Sequence, residues 1–93
     1  MSLKKSLDNN SLLTKIKQFD LGYGEVLYKN KKYGVTRTDF NGGDSIKVFA
    51  KELGDSNFIS LNYYITLHDQ YLKPCEMPQH KVVHFLQNYK RMA

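Results

Sequence analysis

Leu72-Lys73-Pro74-Cys75-Glu76-Met77-Pro78 holds the single cysteine of this 93-residue chain, between two prolines and just ahead of a helical pattern. A thiol close to a helix N-terminus can have a depressed pKa and become a nucleophile. A nucleophile also needs a base, and His80 or His84 would have to fold back to serve Cys75. Free cysteine is among the most buried residue types. The expectation is therefore a structural Cys75, packed beside a stiff proline turn, with Cys75 as the catalytic candidate only if the chain is an enzyme. No second cysteine exists to resolve an oxidised sulfur within the chain.

His80 and His84 are spaced i, i+4 and share a helix face. With Cys75, Glu76 or His68 they could offer metal ligands. The spacing lacks the second cysteine of a zinc finger and the His-Glu-x-x-His order of a zinc hydrolase. Two exposed histidines on a polar face explain it equally well, and no metal or cofactor is assigned. Asn41-Gly42-Gly43-Asp44 resembles a phosphate loop only in its glycines. A strand pattern follows it, not a helix, so it reads as a turn needing positive φ. Gly22-Tyr23-Gly24 fails in the same way. Asp39, Asp44, Glu52, Asp55 and Asp69 fall mostly in turns and form no acid–base pair. No serine sits in a nucleophile elbow, which argues against a conventional hydrolase.

Lys47, Phe49, Asn62 and Tyr64 form the candidate binding set. In alternating strands they share the face opposite the apolar one, with Thr36 beside them. Aromatics flanked by lysine on an open sheet make a stacking platform for single-stranded nucleic acid. The same patch suits a protein partner or a homodimer, for which Tyr and Phe are favoured and Lys is not. The aromatic-Gly-aromatic signature of an RNA-recognition module is absent. Of these readings, protein contact or packing is preferred to nucleic acid.

The elements that would position these residues follow from periodicity. Asn10-Ser11 before Leu12, Leu13, Ile16 and Phe19 predicts a helix over about 10–19. Strands are predicted at 25–28, 32–38, 45–50 and 57–66, with a short fifth at 71–73. Val26, Tyr28, Val35, Ile46, Val48, Ile59, Leu61 and Ile65 would line the covered face. Pro78 suits the first position of a second helix carrying Val82, Phe85, Leu86 and Tyr89, with Lys90 and Arg91 in its last turn. The fold class is α+β: a mainly antiparallel four- to five-stranded meander with N- and C-terminal helices on one face. A small SH3-like barrel with helices is the alternative.

Length fits one domain spanning 1–93, with residues 1–9 expected to be disordered or in part a cloning remnant. A core of this size leaves a modest stability margin, which self-association would widen. The net charge is +5, yet twelve of the fourteen basic residues are lysine. Arginine is the usual bidentate reader of phosphates and bases, so this is a weaker nucleic-acid signal than the charge suggests. The abundance of Lys, Asn and Tyr is also what an AT-rich genome encodes. No apolar run is long enough for a membrane span, and no secretory h-region is present, so a cytoplasmic location without membrane contact is expected. A lone cysteine agrees with a reducing compartment.

At Lys32-Tyr33-Gly34-Val35-Thr36, Ser45-Ile46-Lys47-Val48, Phe58-Ile59-Ser60-Leu61-Asn62-Tyr63-Tyr64 and Leu72-Lys73-Pro74-Cys75-Glu76-Met77-Pro78 the chain resembles a family of short uncharacterised bacterial proteins. The resemblance covers about residues 22–87. Some members carry the label peptide methionine sulfoxide reductase, which implies a catalytic cysteine that only Cys75 could supply. The recognised reductase motifs, Gly-Cys-Phe-Trp and Arg-Tyr/Phe-Cys-x-Asn, are both missing, and the chain has no tryptophan. The expectation is thus a small binding or interaction module, self-associating, with single-stranded nucleic-acid binding and thiol redox chemistry as alternatives.

Overall fold

The computed structural model of the chain describes residues 9–92, with side chains from residue 11 onward. Helix α1 (Asn9–Lys17) is followed by strands β1 (Gly22–Tyr28), β2 (Lys31–Phe40), β3 (Ser45–Glu52), β4 (Phe58–Ile65) and β5 (Gln70–Pro74). Helix α2 (Gln79–Asn88) and a two-residue strand β6 (Lys90–Arg91) complete it. The strands form one sheet in the order β5-β4-β3-β2-β1-β6, and every pairing is antiparallel. The α+β class and the meander are as expected; the strand number is six, not four to five. The SH3-like barrel is set aside, because β5 and β6 lie at opposite edges of the sheet and do not pair.

The sixth strand corrects the reading of the C-terminus. Helix α2 stops at Asn88, and Tyr89 turns extended at φ −69° and ψ 155°. Lys90 and Arg91 then pair with Leu27 and Val26 and do not occupy a last helical turn. Pro78 is likewise the cap of α2 and not its first residue. Helix α1 ends two residues earlier than its apolar spacing predicts. Phe19 is buried just past it, so the periodicity ran on through a turn. The expectation for residues 1–9 falls outside the described residues, apart from Asn9, which opens α1.

Turn chemistry sets the sheet register. Lys29 and Asn30 both have positive φ, 54° and 64°, as the tight two-residue β1–β2 hairpin demands. At the β2–β3 connection Asn41, Gly42 and Gly43 are all left-handed, which explains the glycine pair without a phosphate. With register fixed, every second side chain faces the helices. Val26, Val35, Ile46, Val48, Ile59 and Leu61 are buried there, under Leu12 and Ile16 of α1 and Val82, Phe85 and Leu86 of α2.

An aromatic cluster joins the two helices to β1 and β2. Phe85 is fully buried and lies 4.9 Å from Tyr28, 5.7 Å from Tyr33 and from Tyr89, and 6.2 Å from Phe19, ring centre to ring centre. Arg37, on the inner face of β2, binds Asp39 through two parallel bonds of 3.0 and 2.9 Å. It also donates to the carbonyls of Phe19 and Lys17 at the end of α1. This arginine therefore closes a helix terminus whose carbonyls have no partner in the helix itself.

Tyr89 gives a pH test of this packing. Its hydroxyl donates to the Lys15 carbonyl, and the Lys15 ammonium sits 4.7 Å from its ring centre. Burial pushes the phenol up to about 12, with Arg91 pulling weakly the other way. The unfolded chain loses this proton near pH 10 while the folded chain keeps it. The contribution is thus complete below about pH 10 and disappears as pH rises through about 12. Tyr28 and Tyr33 are raised in the same direction, so some alkaline sensitivity remains without Tyr89. Urea midpoints at about pH 9 and about pH 11.5 should fall more for the wild type than for Tyr89→Phe. Equal falls would show that the phenol proton is not linked to folding.

Candidate functional site

Helices cover only one face of the sheet, and the other carries the sequence-predicted binding residues. Lys47 pairs directly with Asn62, and Asn62 with Lys73, making a polar row that begins at Thr38 on β2. On one side lies the row Phe40, Ser45, Tyr64 and Tyr71. On the other lies the row Tyr23, Thr36, Phe49 and Ser60. Neighbouring rows are about 7 Å apart, two residues along each strand. Lys47, Phe49, Asn62 and Tyr64 are thus brought together on one surface.

The rings on this face form pairs. Phe49, 38% exposed, stacks on Phe58 with centres 5.8 Å apart and planes at 29°. Tyr64 lies 5.2 Å from Tyr71, which is 45% exposed. Such cross-strand and diagonal pairs are typical of adjacent strands. Tyr23 covers Gly34: a Cβ added at Gly34 would come within 2.9 Å of the Tyr23 ring carbon Cε1. The glycine lets that ring lie on the backbone, where its phenol donates to Glu25 at 3.3 Å. Partial desolvation, and then the Glu25 carboxylate, hold the phenol above its usual range.

Tyr23, Phe40, Phe58, Tyr71 and Lys73 were not among the sequence candidates. Tyr71 and Lys73 alternate on β5 and could have been placed by the same period-two rule that selected Asn62 and Tyr64. Tyr23 needed the hairpin register, which places it across from Thr36 and over Gly34. At its strand positions the outer face carries Lys32, Lys47, Lys51, Lys73 and Lys90 against one carboxylate, Glu25. Lys51 also donates to the Asp55 carbonyl at 2.9 Å.

Cys75 joins this same face. Its N–H continues the β4–β5 ladder by donating to the Ser60 carbonyl at 3.0 Å. Its Sγ accepts from the Asn62 amide at 3.2 Å. The half-buried sulfur is therefore on the opposite side of the sheet from α2, and the two candidate sites of the sequence are one place. Glu76 takes φ +62° in the following turn. The histidines go elsewhere: His84 Nδ1 is hydrogen-bonded to the Tyr28 hydroxyl on the helix side. Among the described residues no group of three His, Cys, Asp or Glu side chains could hold a metal ion. Nor is any helix among them long and apolar enough to cross a membrane. No family model, no curated protein and no solved structure matches the chain.

Proposed function

We propose that the open face of the sheet binds single-stranded nucleic acid. One observation carries this reading: a lysine-containing row, Lys47-Asn62-Lys73, runs between two rows of exposed rings, on a face whose strand positions hold five lysines and a single carboxylate. Stacking is sequence-tolerant because every base offers a π-face, and lysines follow the backbone phosphates. The two ring rows are about 14 Å apart, the span of roughly two extended nucleotides. Arg37 is committed to Asp39 and the end of α1, so discrimination by bidentate base contacts is not expected here.

Self-association was the preferred expectation, and the exposed Phe40, Phe49 and Tyr71 support it as a second reading. A two-fold contact of this face with itself would set lysines against lysines, which favours an anionic partner over a second copy. A thiol redox role has less support. The Cys75 Sγ meets the Asn62 amide on the open side of the sheet, while His84, a candidate base, is bonded to Tyr28 on the helix side.

A labelled single-stranded oligonucleotide titrated at two salt concentrations tests the proposal. Binding should weaken with salt at a log–log slope of about −2 to −3, from three or four phosphates at about 0.7 each. Bound oligonucleotide should also slow alkylation of Cys75 by iodoacetamide, because Cys75 lies against Asn62. Absence of binding at low salt removes the reading. Light scattering that shows a dimer whose interface protects Cys75 in its place would favour self-association.

A further inference from the structure

At the β6 edge of the sheet, the β1–β2 turn, α2 and β6 border a groove made of two adjoining hollows of about 350 and 450 Å³. Both hollows are lined by Tyr28, Lys29 and His84. His80 borders one, and Lys90 and Asn88 border the other. Room of this size suits a small molecule. No aspartate or glutamate among the described residues lines either hollow.

The groove's chemistry is one-sided. Lys29 and Lys90 are exposed and take part in no ion pair among the described residues. Lys90 pairs with Leu27, two residues before Lys29, and so borders the groove from the open-face side of the edge strand. Lys29 is held at the mouth by the positive φ of its turn position, with its ammonium 5.4 Å from the Tyr28 ring centre. Tyr28 is buried, and desolvation raises its phenol first of all, so it keeps its proton and can donate to His84 Nδ1. With Nδ1 accepting from Tyr28, His84 has its N–H at Nε2, a second donor for the groove. Lysines gathered around a hollow with no carboxylate repel one another until an anion enters.

We propose that this groove is a second binding site, for a small phosphorylated molecule, with Lys29, Lys90 and His84 holding its phosphate oxygens. The site lies at the β6 edge, apart from the Lys47-Asn62-Lys73 row that runs toward the opposite edge, and does not depend on it.

Inorganic pyrophosphate is a suitable probe, followed by backbone amide NMR at low salt. The expected result is saturable binding with shifts centred on Lys29, His84 and Lys90. Lys29→Gly, which suits the left-handed turn, combined with Lys90→Ala should weaken it at least tenfold while the spectrum stays folded. Chloride at matched ionic strength should give no saturable shifts. The proposal is overturned by no saturation at millimolar pyrophosphate, by unchanged affinity in the double variant, or by shifts confined to the Lys47–Lys73 row. The last outcome would assign the phosphate to the open face instead.

Discussion

Phe85→Ala is expected to remove about 3–5 kcal/mol of unfolding free energy. A chain of 93 residues has on the order of 5–14 kcal/mol in total, so this is a large part of it. Phe85 is fully buried and touches rings from the segment after α1, from β1 and β2, and from the residue that ends α2. The cavity left behind is walled by Tyr28 and Tyr33, whose hydroxyls are held by His84 and Asn57, so these rings are not free to collapse inward. The comparison is Phe49→Ala on the open face, where the ring is 38% exposed and a loss of about 1 kcal/mol or less is expected. Urea unfolding followed by circular dichroism measures both. Similar losses for the two variants would mean that the aromatic cluster is not what locks the helices to the sheet.

How much of this was legible in the sequence depended on the range of the interaction involved. The inner face was legible because alternation is local: Ile46, Val48, Ile59 and Leu61 follow period two and are all buried. The glycines of the β2–β3 turn were legible for the same reason, since positive φ is a property of a few adjacent residues. Strand β6 was not. Lys90 and Arg91 carry no strand signal, and they are extended because α2 ends at Asn88 and β1 offers a free edge. Arg37 was also opaque. The sequence marks it only as one of two arginines, and its bonds to Asp39 and to the carbonyls ending α1 exist only after β2 lies beside that helix. At the site, Lys47, Phe49, Asn62 and Tyr64 were found by alternation alone. The junction of Cys75 with Asn62 needed the β4–β5 register, which sets residues 13 apart in contact.

Charge reversal of the central row, Lys47→Glu with Lys73→Glu, should abolish measurable single-strand binding at moderate salt and weaken it by about a hundredfold or more at low salt. Both side chains are exposed and flank Asn62, so the fold should be little affected. Two removed phosphate contacts should also lower the salt slope by about 1.4, at about 0.7 each. The ring variant Tyr64→Ala with Tyr71→Ala supplies the complementary test. Stacking is worth about 1–3 kcal/mol per base and releases no counter-ions, so affinity should drop while the slope stays unchanged. The two variants thus separate the charge of the lysine row from the stacking of the Tyr64–Tyr71 pair. If the lysine variant binds as tightly as the wild type, the phosphates do not lie along Lys47-Asn62-Lys73. If both variants change only the slope, the rings are not stacking on bases, and the face is an electrostatic surface alone.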